Sequence, residues 1–253
     1  MTILEVRDLE VSYGALKAVS GMTFTCRGGE ILGIIGPNGA GKSSTFNAIT
    51  GRVEKKGTVT LSGQSLDGVP TCEMQRFGLK RTFQQNSFFT ELTVLRNAEM
   101  ALGRAYCPSL PALLRNPFSI GRRARVRIER ARELLAEFHI PPEYGSLRPD
   151  EIPYGTQRLL SIAMSYGTGA KVLLADEPAA GVGGEDMEVL ARILDKLRGL
   201  GVAVVLIEHH MDLVMQVCDR IAVIDRGTQI AYGTPDEIQR DPKVRAAYLG
   251  GEA

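Results

Sequence analysis

Ile31-Leu32-Gly33-Ile34-Ile35 runs directly into Gly36-Pro37-Asn38-Gly39-Ala40-Gly41-Lys42-Ser43, an apolar segment opening into a glycine-rich loop. The first five residues are apolar on both faces, as a strand of a parallel sheet covered by helices must be. The next eight match Gly-x-x-x-x-Gly-Lys-Ser/Thr and lead into a helical segment, the strand-to-helix context that the pattern requires. Composition alone would produce the pattern in about one chain in a hundred of this length. Glycines let successive backbone N–H groups turn inward around a phosphate, and the following helix adds its positive end. Lys42 supplies a mobile point charge for the terminal phosphates, Ser43 suits Mg²⁺ through its hydroxyl, and Ser44 completes the nucleotide-binding run. A merely tight turn would not need Lys and Ser after the last glycine.

Lys171-Val172-Leu173-Leu174-Ala175-Asp176-Glu177-Pro178 reads as a second buried strand that ends in two adjacent carboxylates. Both belong at the carboxyl edge of the sheet, beside the phosphate loop. Asp176 suits Mg²⁺, held through water or together with Ser43, and Glu177 suits polarisation of the water that attacks the terminal phosphate. Val202 to Ile207 and Ile221 to Ile224 have the same two-sided apolar character and complete a central parallel sheet. Between residues 176 and 202, Met187, Leu190, Ala191, Leu194 and Leu197 share one helical face, with Gly199 and Gly201 as stops, which makes a βαβ unit.

Residues 2–26 and 57–62 carry short β-rich segments that predict a small antiparallel layer. From 88 to 168 the strand rhythm gives way to a helical insertion punctuated by prolines from Pro108 to Pro149. Its clearest helix places Ala124, Ile128, Ala131, Leu135 and Phe138 on one stripe, while Arg122, Arg123, Arg125, Arg127, Arg130 and Arg132 read as a solvated face. The expected class is therefore an α/β phosphate-loop NTPase: a mainly parallel sheet flanked by helices, an N-terminal antiparallel β layer and a helical subdomain. The core takes residues 1–87 and 169–253, and the subdomain takes 88–168.

Composition narrows the function. The 253 residues contain 30 Lys plus Arg against 29 Asp plus Glu, a net charge of +1, so nucleic acid is a poor partner. Apolar runs reach about six residues, far short of the ~20 that cross a bilayer. The N-terminus lacks the charged-then-apolar pattern of a secretory signal, and Cys26, Cys72, Cys107 and Cys218 are too scattered for a zinc site or a disulfide framework. A cytosolic protein with free thiols is expected.

From Tyr13 to Leu249 the chain resembles the nucleotide-binding subunit of an ATP-binding cassette (ABC) transporter. The resemblance implies that Tyr13, in Val11-Ser12-Tyr13-Gly14, stacks on adenine. It also implies that Gln84, in Arg81-Thr82-Phe83-Gln84, senses Mg²⁺, and that His209 after Glu208 is the switch histidine reaching the terminal phosphate. His210 reads as a strand-end histidine with a local hydrogen bond. Glu177-Pro178-Ala179-Ala180-Gly181 and the ending from Gly233-Thr234-Pro235 to Ala247-Tyr248-Leu249-Gly250 resemble the ATPases of branched-chain amino acid importers, a branch that includes carriers of urea and short amides. The implied ligands are ATP and Mg²⁺. The implied partners are transmembrane permease subunits, a second ABC ATPase subunit and, indirectly, an extracytoplasmic solute-binding protein, at the inner face of the cell membrane.

The signature segment departs from that branch. Where the family reads Leu-Ser-Tyr-Gly-Gln, this chain reads Ile152-Pro153-Tyr154-Gly155-Thr156, and Pro153 lacks the serine hydroxyl that would bind ATP on the opposite subunit. A helix start at Tyr154, Gly155 and Thr156 still offers amides and the Thr156 hydroxyl to an anion. Gly183 stands where related proteins carry aspartate or asparagine. Two functions follow: a transport-coupled ATPase, supported by Lys42, Asp176, Glu177 and His209, or a low-turnover ATP-dependent clamp, the passive half of a heterodimeric ABC motor or a non-transport ABC protein, supported by Pro153 and Gly183.

Overall fold

The protein is described by a computed structural model covering residues 2–82, 88–106 and 119–249. The chain divides into two units, residues 1–81, 171–180 and 190–253 in one and residues 82–170 and 181–189 in the other. Residues 181–189, which the sequence reading keeps with the core, group with the helical unit.

The first unit is built on a curled mixed sheet of ten strands among the described residues. In chain order these are β1 (Thr2–Tyr13), β2 (Leu16–Arg27), β3 (Ile31–Ile35), β4 (Lys56–Leu61), β5 (Gln64–Ser65), β6 (Leu79–Thr82), β7 (Val172–Asp176), β8 (Ala203–Ile207), β9 (Arg220–Asp225) and β10 (Thr228–Gly233). Their order across the sheet is β5-β4-β1-β2-β10-β9-β3-β8-β7-β6. The expected parallel core is present: β3 pairs with β8 and β9, and β7 with β8, all parallel. Every residue of β3, β7 and β8 is buried, which is why these segments read as unbroken apolar runs.

The expected antiparallel layer of β1, β2 and β4 is present and continuous with that core. A hairpin joins them: Arg226 and Gly227 both take positive φ, 46° and 79°, the geometry of a two-residue turn matched to strand twist. The returning strand β10 pairs antiparallel with β9 and meets β2 at Thr228 and Ser20. The Ser20 N–H donates to Gly227 O at 2.7 Å.

Helix α1 (Lys42–Ile49) follows the phosphate loop and buries Phe46, Ala48 and Ile49 in the core formed with Leu32, Ile34, Leu174 and Val205. Each such large side chain contributes about 1.5–3 kcal/mol relative to exposure. Cys26 and Cys218 are buried in this unit, which raises both thiol pKa values, that of Cys218 to about 12, and Cys72 is exposed. Cys107 lies outside the described residues.

Helix α2 (Thr71–Phe77) precedes β6 and helix α6 (Glu185–Gly199) precedes β8, and in the second unit helices α3 (Val94–Tyr106), α4 (Ser119–Glu137) and α5 (Tyr154–Gly167) pack together. Ala131, Leu135 and Phe138 are buried as the stripe predicts, while Ala124 and Ile128 are only partly covered. Arg130 and Arg132 form exposed i,i+3 pairs with Glu133 and Glu129, a solvated face. Arg127 departs from it, reaching the buried Glu99 carboxylate at 2.7 Å. The side chains of Arg122 and Arg123 lie outside the described residues.

Candidate nucleotide site

Register brings the candidate residues to one sheet edge. Ile34 and Asp176 are both paired with Ile207, so β3, β8 and β7 end together. The residues that follow those strand ends are Gly36, Glu208 with His209, and Glu177. The Glu177 N–H donates to Ile207 O at 2.9 Å, which seats the second carboxylate against the end of β8.

The loop between β3 and α1 leaves no room for side chains at its ends. A Cβ on Gly36 would lie 1.9 Å from Ile224 O, and one on Gly41 would lie 2.3 Å from Ala18 O at a φ of 110°. Lys42 turns back over this loop, donating to Gly36 O at 2.6 Å and Pro37 O at 3.0 Å. Burial lowers its pKa below the ordinary lysine value, while Glu177 and then Asp176 act to raise it. The ammonium thus occupies the loop carbonyls and remains near both acids.

A cavity of about 520 Å³ opens over the loop, lined by Tyr13, Lys17, Asn38 to Ser44, Glu177 and Arg226 among others. Tyr13 and Glu177, far apart in sequence, therefore share one cavity with Lys42, Ser43 and Ser44. Tyr13 is exposed at the cavity wall, and Ser43 is exposed at the helix start. Lys17 and Arg226 are cationic neighbours that motif reading missed. Arg226 belongs to the hairpin turn, and only the β9–β10 pairing carries it to the loop.

Asp176 is buried and paired: its Oδ2 lies 2.6 Å from Arg81 Nη2, and Arg81 Nη1 donates to Asn47 Oδ1 at 2.7 Å. The same guanidinium lies over the Phe46 ring. The sequence reading assigned neither Arg81 nor Asn47, although Arg81 opens the segment quoted for Gln84. Gln84 itself lies outside the described residues. Glu177 has a φ of 45°, a left-handed backbone that a non-glycine residue holds only when its surroundings impose it.

His209 is half exposed after β8, and His210 begins helix α7 (Met211–Val217) with its Nδ1 3.1 Å from Glu208 Oε2. That contact is the local hydrogen bond expected of His210. His209 and His210 have ring centroids 4.3 Å apart.

In the helical unit, Pro153 is the residue before the first turn of α5, and it makes no side-chain cap. Tyr154, Gly155 and Thr156 form that turn, as expected. The Tyr154 hydroxyl accepts from Arg158, whose guanidinium also covers the Tyr154 ring. A Cβ on Gly155 would meet Asp186 Oδ2 at 2.6 Å. A carboxylate therefore lies against the helix start whose amides and Thr156 hydroxyl are expected to face an anion.

The chain carries the ABC transporter family model over residues 19–180 and the branched-chain amino acid ATP-binding cassette transporter model over residues 228–253. It is 38% identical over 251 residues to the high-affinity branched-chain amino acid transport ATP-binding protein LivG of Salmonella typhimurium, covering 98% of each chain. It is 37% identical over 250 residues to BraF of Pseudomonas aeruginosa, again with 98% of each covered. The lipopolysaccharide export ATP-binding protein LptB of Escherichia coli is 32% identical over 251 residues, covering 99% of this chain and 98% of LptB. Among solved structures, the ADP conformation of an ABC transporter's ATP-binding cassette superposes with a TM-score of 0.82 at 27% identity, covering 99% of both chains. With a phosphate loop, two strand-end acids and a strand-end histidine on one sheet edge, and likeness of this extent, the chain belongs to the ABC transporter family as one of its ATP-hydrolysing cassettes.

Proposed function

We propose that this cassette powers an importer of branched-chain amino acids, or of a related small polar solute such as another amino acid, urea or a short amide. The observation that carries the reading is the C-terminal match at residues 228–253, joined to full-length likeness to LivG and BraF. LptB, named for export, matches over the same length at lower identity.

In this reading Tyr13 stacks on adenine, and Lys42 leaves the Gly36 and Pro37 carbonyls for the terminal phosphates. The amides from Gly36 through Ser44 wrap those phosphates. Glu177 polarises the attacking water, and His209 reaches the terminal phosphate. Ser43 and Asp176 offer the hard oxygen donors that Mg²⁺ requires, with Gln84 as a further donor. Bound there, the ion offsets phosphate charge. Tyr154, Gly155 and Thr156 face ATP held by a second subunit, the same chain or a paralogue, paired head to tail.

No helix among the described residues is long and apolar enough to cross a membrane. The reading places the chain on the cytoplasmic face, against two permease subunits that receive solute from an extracytoplasmic binding protein. Pro153 and the Asp186 carboxylate beside Gly155 favour a second reading, the passive half of a heterodimeric motor. Deleting the gene should lower uptake of radiolabelled leucine, and wild-type protein, but not Lys42→Ala, should restore it. Unchanged uptake of leucine, urea and short amides in the deletion strain would overturn the importer assignment.

A further inference from the structure

We propose that Glu208 is a positioning residue for ATP hydrolysis, a buried carboxylate that ties the turn carrying Glu177 to the segment carrying His209. The proposal rests on the roles given to Glu177 and His209 above. Glu208 follows the fully buried strand β8, and its side chain has no exposed surface. Its Oε1 accepts the Ala179 N–H at 2.6 Å, two residues beyond Glu177. Its Oε2 accepts the N–H of His209 at 3.1 Å and that of His210 at 3.4 Å, and His210 Nδ1 lies 3.1 Å away.

A residue that only filled space after β8 would be apolar, like the five before it, because a buried carboxylate is costly unless donors surround it. Here they do, and the donors come from two chain segments. Hydrogen bonds from backbone N–H groups to a carboxylate are shorter and stronger than neutral ones, so the two segments are held in a fixed relation.

That relation matters at Glu177. The end of β8 grips its turn on both sides of Pro178: Ile207 O takes the Glu177 N–H at 2.9 Å, and Glu208 takes the Ala179 N–H. Between these anchors Glu177 holds its left-handed φ of 45°. The same Glu208 carboxylate sets the backbone of His209, so one side chain fixes the spacing between the water-polarising acid and the phosphate-sensing histidine. Reaction rates depend steeply on such placement, whereas ground-state nucleotide binding rests on the phosphate loop.

The test compares the full chain with Glu208→Gln, alongside Glu177→Gln and His209→Ala, measuring kcat, ATP affinity and amide hydrogen exchange. Glu208→Gln keeps the shape but sets an NH₂ group against one set of donors. Its kcat should fall about tenfold or more while ATP affinity stays within about twofold, and the amides of Ala179, His209 or His210 should exchange faster. A normal kcat with unchanged exchange overturns the proposal. If Glu208→Gln does not fold, exchange in the wild-type chain still decides, because the Ala179 and His209 amides must be slow and rapid exchange there sinks the idea. Normal hydrolysis by Glu177→Gln and His209→Ala would instead remove the roles on which the proposal stands. Inactive controls beside a fully active Glu208→Gln would reject the positioning role alone.

Discussion

Arg81 and Asp176 form an ion pair at 2.6 Å with their side chains only 9% and 7% exposed, so the first strand-end acid is held by a cation from the end of β6. The Arg81 fork also reaches Asn47 on α1, which ties strand β6, helix α1 and the acid together.

Arg81→Met should therefore destabilise the protein by about 3–5 kcal/mol, because it takes the guanidinium charge away from a buried carboxylate. Chemical denaturation measures the loss. Arg81→Lys keeps the charge but cannot bridge Asp176 and Asn47 at once, and its loss should be smaller. Equal and negligible effects from both variants would show that the pair does not hold the site.

Lys42→Ala should weaken ATP binding by at least tenfold, since each charged hydrogen bond to phosphate contributes about 1.5–3 kcal/mol. The wild-type affinity should also depend on pH. The ammonium is the form that binds phosphate, burial lowers its pKa in the free protein, and bound polyphosphate raises it. Affinity is then full below the free-protein pKa and declines as pH rises through it, at a value under the ordinary lysine range. Nucleotide titrations from about pH 7.5 to about pH 10 should show that decline in the wild type and lack it in Lys42→Ala.

Glu177→Gln should retain ATP and stall hydrolysis, because the amide keeps the carboxylate's shape but not its capacity to polarise water. Sedimentation with ATP should show a trapped dimer. Surviving turnover with only monomer would remove Glu177 from catalysis.

Pro153→Ser should act twice. Pro153 precedes the first turn of α5 without a side-chain cap, and a serine there would stabilise the helix by about 0.5–2 kcal/mol. It would also restore a hydroxyl toward the opposing ATP, so dimerisation of the Glu177→Gln protein should tighten and turnover of the otherwise unchanged chain should rise. Higher thermal stability with neither of the other changes would show that the signature works here without that hydroxyl.

The phosphate loop, the parallel strands and the strand-end acids are legible in the residue pattern. These rest on local rules: buried strands are apolar on both faces, and glycines are required where Cβ atoms would strike Ile224 O or Ala18 O. His210 was legible for the same reason, because its partner Glu208 is only two residues away. The other contacts depend on chain segments that meet only in the folded protein. Arg81 lies 95 residues from Asp176, and Ala179 lies 29 from Glu208, so no spacing pattern could announce either contact. The β9–β10 hairpin carried Arg226 to the nucleotide cavity and merged the antiparallel layer with the central sheet, through a pairing at Ser20 and Thr228. A side chain's chemistry is written in sequence, but the partner that orients it is chosen by packing and register.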